Sequence, residues 1–166
     1  MADEYDGIVE REIVTTRVFD APRALVFEAW TDPEQLKQWW GPRGFSNTFH
    51  VFEMKPGGLW QYTMHGPAGK DFNNESRFVE IVAPERIVLD HITAPRFRLT
   101  VLFEELGDRT KITFRQLFET SSVYAQVKKF AVPGNEENLD RLASFVAERR
   151  AQEPERVASM SARSRA

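Results

Sequence analysis

The chain contains no cysteine. That excludes disulfides, zinc–thiolate sites, iron–sulfur clusters and a thiol nucleophile. Histidine is scarce too. His50, His65 and His91 are the only three, and they fall in separate segments without H-x-H spacing. A metal site needs several converging ligands, so neither a metal nor a cofactor is expected. No run approaches the roughly 18 apolar residues of a membrane span. The start, MADEYD, is acidic and has no apolar core, so neither membrane insertion nor a secretory leader is expected and the location reads as cytoplasmic. Lys and Arg total 22 against 25 Asp and Glu, a formal net charge of -3, so no basic field is available to hold nucleic acid. Gly57-Gly58 lacks the following Lys-Ser/Thr of a phosphate loop, and no G-x-S-x-G is present to suggest acyl transfer.

What is present is aromatic. Of 166 residues, 13 are Phe, 4 Trp and 3 Tyr, which makes 12% of the chain. A hydrophobic fraction of 42% with mean hydropathy of -0.45 fits one water-soluble domain of ordinary size. The rings either fill a core or line an interior space for a ligand.

Residues 8–19 are rich in Val, Ile and Thr and read as a first strand. Asp20 is placed to cap a helix that has Pro22 in its first turn and Leu25, Val26, Ala29 and Trp30 at helical spacing. Asp32-Pro33 begins a second short helix with Leu36, Trp39 and Trp40, ended by Gly41-Pro42. Six strand-like segments follow at 45–54, 59–65, 72–82, 86–92, 97–106 and 110–118, separated by Pro/Gly turns too short for helical crossovers. The chain closes with a short helix over 123–131, a break at Pro133-Gly134, and an amphipathic helix over 135–150. The fold class is therefore α+β, with a mainly antiparallel sheet of about seven strands whose inner face the last helix must cover. Residues 1–10 and 151–166 are polar and read as a flexible start and a disordered tail around a single domain, 11–150.

Several motifs carry a family resemblance. They are RVFDAPRALVFEAWTDPE (17–34), WWGP (39–42), KPGGLW (55–60), EIVAPER (80–86) and NLDRL (138–142). Together they resemble the START-like (SRPBCC, birch-pollen-allergen-type) superfamily, in the group named for the activator of heat-shock protein 90 ATPase. The resemblance implies a helix-grip architecture, a sheet wrapped around the long terminal helix. It also implies three kinds of function: a small hydrophobic ligand bound between sheet and helix, a chaperone partner, or an enzyme of the polyketide cyclase/dehydratase kind. The chain departs from the group's usual pattern at Ser76-Arg77 and at Asn138.

In such a fold, strand alternation puts Trp60, Tyr62 and Met64 on one face. It does the same for Phe97, Leu99, Val101 and Phe103, and for Phe114 with Ile112 and Phe118. With Trp39, Phe78, Leu142 and Phe145 these are the candidate cavity residues, each of which could equally be plain core. Trp39 and Trp40 are neighbours, so on a helix one should face the core and the other should pack under the Gly41–Gly44 loop. Glu53, Glu80, Arg98 and Gln116 are the polar residues placed to touch a cavity wall, and Glu80 with Arg86 reads as an ion pair across a turn. No catalytic set emerges. The leading expectation is non-catalytic binding of a small apolar or aromatic molecule by a monomer or homodimer. A co-chaperone-like module and a cyclase-like enzyme are the alternatives.

Overall fold

The computed structural model describes residues 11–165, with side chains through residue 152. The expected flexible start and the side chains of 153–166 lie outside the described residues. Seven strands form one antiparallel sheet: β1 (Glu12–Phe19), β2 (Ser46–Phe52), β3 (Leu59–His65), β4 (Asp71–Val82), β5 (Arg86–His91), β6 (Phe97–Leu106) and β7 (Arg109–Phe118). Their order is β1-β7-β6-β5-β4-β3-β2, so β2 to β7 run as a meander and β1 closes beside β7. Helices α1 (Arg23–Thr31) and α2 (Pro33–Trp39) lie between β1 and β2, and α3 (Ser121–Arg165) ends the chain. This is the α+β helix-grip fold.

The core lies between the sheet's inner face and the three helices. Phe19, Trp60, Phe78, Leu99, Val101 and Ile112 from the strands meet Leu36 and Trp39 of α2 and Leu139, Leu142 and Val146 of α3. Burial alternates along β6 and β7 as the two-residue period requires. The four indoles form one connected, edge-packed cluster. Ring centroids are 4.8 Å apart for Trp39–Trp30, 5.6 Å for Trp30–Trp40 and 5.4 Å for Trp40–Trp60. Much of the aromatic excess is therefore packing.

Three local readings are corrected. Asp20 caps nothing: the residue before α1 is Pro22 without a side-chain cap, and the Asp20 carboxylate accepts from Arg150 at 3.0 Å instead. Trp39 and Trp40 are both buried, at 1% and 9% exposure. The helical argument fails because Trp40 has already left the helix at φ -66°, ψ 132°, which turns its ring inward beside that of Trp39. The expected break at Pro133-Gly134 is absent, and α3 runs through it as one element. Pro133 and Lys129 are both solvent-exposed, so the carbonyl that loses its helical donor can bond water.

Gly57 and Gly58 are needed for different reasons. Gly57 has φ +79° with open space around it, whereas a Cβ on Gly58 would lie 1.9 Å from the Glu53 carbonyl oxygen. Glu80 and Arg86 do pair, at 2.6 Å.

Candidate functional site

Between the sheet and the first half of α3 lies a cavity of about 340 Å³. The alternation of β3 brings Tyr62 and Met64 to it. Phe97 and Leu99 come from β6, Phe114 and Gln116 from β7, and Asn74 and His91 from β4 and β5. Helix α3 supplies the opposite wall with Val127, Phe130, Ala131, Gly134, Asn135 and Asn138. The turn Trp40-Gly41-Pro42 forms one end. Phe130 is 70% exposed, a large ring at the rim.

The turn at that end is held from α3. Arg141 Nη1 donates to the carbonyls of Trp40, Gly41 and Pro42 at 3.1, 3.1 and 3.0 Å, and its Nη2 donates to that of Gln38 at 3.0 Å. Asn138 Oδ1 accepts from the Gly41 amide at 3.0 Å. Gly41 itself sits at φ +101°, and a Cβ there would lie 2.6 Å from Met64 Cε. The positive φ is what calls for glycine, since the flexible Met64 tip could move aside.

Of the candidate residues, Tyr62, Met64, Phe97, Leu99 and Phe114 come together on this cavity. Trp39, Trp60, Phe78, Val101, Phe103 and Leu142 lie in the packed core, and Phe145 packs against it. Among the polar candidates only Gln116 reaches the cavity. Glu53 accepts from the Leu59 amide, Glu80 is taken by Arg86, and Arg98 makes a two-point pair with Asp90 at 2.8 and 3.0 Å. The register places Asp90 between Arg98 and Arg77 on the outer face, where Arg77 donates to the Gly57 carbonyl. The sequence reading missed Trp40, Asn74, His91, Asn135 and Asn138. Asn138 was visible as a departure from the group's pattern and Trp40 as part of WWGP; Asn74 and Asn135 carried no signal of their own.

Two titratable groups line the cavity, and burial keeps both neutral at ordinary pH. Tyr62 is pushed up to about 12 by burial, against a weak opposing hydrogen bond from Trp40 Nε1 to its hydroxyl at 3.4 Å. Burial also lowers the His91 pKa below 6.5. Its Nδ1 lies 3.0 Å from the Pro95 carbonyl oxygen, its Nε2 lies 2.8 Å from Asn74 Oδ1, and the ring stacks on Phe97 at 4.7 Å. Turning the Asn74 amide over would let Nε2 accept from it while Nδ1–H donates to Pro95, at the loss of the Asn74 Nδ2 bond to the Phe72 carbonyl at 3.0 Å. Because the folded-state pKa is depressed, the unfolded chain takes the proton first as pH falls. This contribution to stability is complete above pH 6.5 and is lost as pH drops through the folded value. Thermal melts from about pH 7.5 downward should show the decline, and His91→Gln should flatten it. An identical slope in the variant would refute the assignment.

A second hollow, of about 400 Å³, lies toward the sheet's other face and is rimmed by Arg11, Arg77, Arg96 and Arg98. Among the described residues, no three His, Asp or Glu side chains are placed to hold a metal ion. No described helix is long and apolar enough to cross a membrane.

The sequence model of a family described as "Activator of Hsp90 ATPase homolog 1-like protein" matches residues 20–147. No curated protein matches the chain. Among solved structures, a protein from Arthrobacter aurescens is similar with 26% identity and a TM-score of 0.79, over 85% of this chain and 88% of that one. One from Nitrosomonas europaea has 20% identity and a TM-score of 0.78, over 85% and 97%. A Silicibacter pomeroyi protein titled AHSA1 has 18% identity and a TM-score of 0.66, over 83% and 99%.

Proposed function

We propose, starting from the fact that the chain belongs to the activator of Hsp90 ATPase homolog 1-like family, that it binds a small apolar or aromatic molecule between the sheet and α3 without converting it chemically. One observation carries this reading. The space there is lined by the rings of Trp40, Tyr62, Phe97 and Phe114, and at about 340 Å³ it is left open rather than filled. Small-molecule sites occupy roughly 300–1,000 Å³ with mostly apolar walls and a few polar groups. Catalysis would need titratable groups free to exchange protons with a substrate. Both His91 nitrogens are engaged, by the Pro95 carbonyl and Asn74, which supports binding alone. A cysteine-free chain suits a reducing cytoplasm.

The test is thermal shift against a panel of lipids, flavonoids and polyketide-like rings, run in parallel on Ala131→Trp. Ala131 is half-buried in the cavity wall, and an indole there should fill the space. At least one compound should raise the melting temperature of the parent protein and leave the variant unmoved. If no compound distinguishes the two proteins, the reading is wrong.

A protein-partner reading, raised by the family description, rests on Val14 and Val18, exposed on the outer face of the edge strand β1. Failure of excess protein to stimulate the chaperone's ATPase would end it.

A further inference from the structure

Given that cavity reading, on which this inference rests, we infer that the ligand is electrically neutral and carries a group that both accepts and donates hydrogen bonds, seated against Gln116, Asn135 and Asn138. A ketone beside a hydroxyl, or a carboxamide, has this character. A carboxylate or an ammonium does not fit.

No Lys, Arg, Asp or Glu lines the cavity, although 28% of the chain is charged. Arg141 comes close, but its guanidinium is spent on four main-chain carbonyls. His91 is held neutral, and its ring nitrogens face Pro95 and Asn74. An ion entering the space would lose its hydration and meet no counter-charge, a heavy cost in a low-dielectric site.

Three carboxamides supply polar groups to the cavity wall. Gln116, Asn135 and Asn138 are 8%, 9% and 6% exposed, so each is more than nine-tenths buried. Asn135 Nδ2 donates to Gln116 Oε1 at 2.8 Å, which leaves Gln116 Nε2 and Asn135 Oδ1 without a partner among the described residues. Turning both amides over reverses that bond and again leaves one donor and one acceptor, so the pair's free valences do not depend on the assignment. Asn138 is fixed by its bond from the Gly41 amide, so its Nδ2 is a further free donor. None of these three atoms is sealed in packing; all open to the cavity. Open to the cavity, they bond water in the unliganded space and must bond whatever displaces that water. Two donors and one acceptor on one wall of an apolar cavity therefore specify the polar end of the ligand.

Three probes with one skeleton separate the contributions: naphthalene, 2-naphthamide and 2-naphthoate, titrated by isothermal calorimetry into the parent chain, Gln116→Leu and Ala131→Trp. Naphthamide should bind the parent at least about tenfold more tightly than either other probe, the equivalent of one or two net hydrogen bonds. Gln116→Leu, which removes one of the three carboxamides, should weaken naphthamide binding severalfold and leave naphthalene binding unchanged. Equal binding of naphthamide and naphthalene, or tighter binding of naphthoate, overturns the inference and leaves the cavity reading intact. Binding of no probe, or unchanged binding in Ala131→Trp, overturns both.

Discussion

Trp39→Ala is expected to lower stability by about 3–5 kcal/mol, the usual range for deleting a large aromatic from a packed core. The indole is 1% exposed and edge-packed on Trp30 and Trp40. It also has a role that its burial does not reveal. Its Nε1 donates to the Ala29 carbonyl at 3.0 Å. In a continuing helix that carbonyl would accept from the residue four positions on, which here is Pro33 and has no N–H. The second helix thus returns a donor to the first across the Asp32-Pro33 junction. Trp39→Phe keeps most of the packing and removes only that donor, so it should cost about 1–3 kcal/mol. Urea unfolding of both variants checks this. If phenylalanine is tolerated without loss, the carbonyl account is wrong and packing alone explains the residue.

Arg141→Ala is the second large effect, expected at about 2–3 kcal/mol. The guanidinium serves four consecutive-turn carbonyls, from Gln38 to Pro42, with donors that a planar fork can spread and a single ammonium cannot. Arg141→Lys should therefore recover less than half of the lost stability. Burial lowers the arginine's pKa, yet the group stays charged at any ordinary pH. Because these bonds hold the Trp40-Gly41-Pro42 end of the cavity, hydrogen exchange at the Gly41 amide should quicken in the alanine variant. Retained protection at Gly41 would mean that Asn138 holds the turn by itself.

The fold was legible because its signals are local and periodic. Strands β3 and β6 begin and end where Pro/Gly turns and alternating apolar residues place them, and Asp32 caps α2 as a short acceptor before Pro33 should. The misplaced features came from backbone departures that side-chain type does not report. Trp40 sits one residue past the helix, and Pro133 is carried inside one.

The site was half legible. Alternation decides which way a side chain points, and it aimed Tyr62, Met64, Phe97, Leu99 and Phe114 correctly toward the interior. It cannot tell whether another group fills the space in front. Phe103 meets Phe27 and Trp30, and Trp60 meets Trp40, Tyr62 and Phe78, so these inward rings became core. The ring of Phe97 faces a gap because α3 presents Val127, Ala131 and Gly134 there rather than larger side chains.

By itself, the sequence determined that this chain carries no thiol chemistry, and the order of the elements. The first follows from composition, and the second follows from periods of two and 3.6 residues that repulsion and hydrogen bonding impose on any chain. Only the tertiary structure decided that the aromatic excess divides between a filled core and an open cavity. It alone brought Gln116 within 2.8 Å of Asn135, nineteen residues away, and Gly41 within reach of Asn138. Those meetings depend on how a strand and a distant helix pack, and packing is a property of the assembled interior rather than of any stretch of chain.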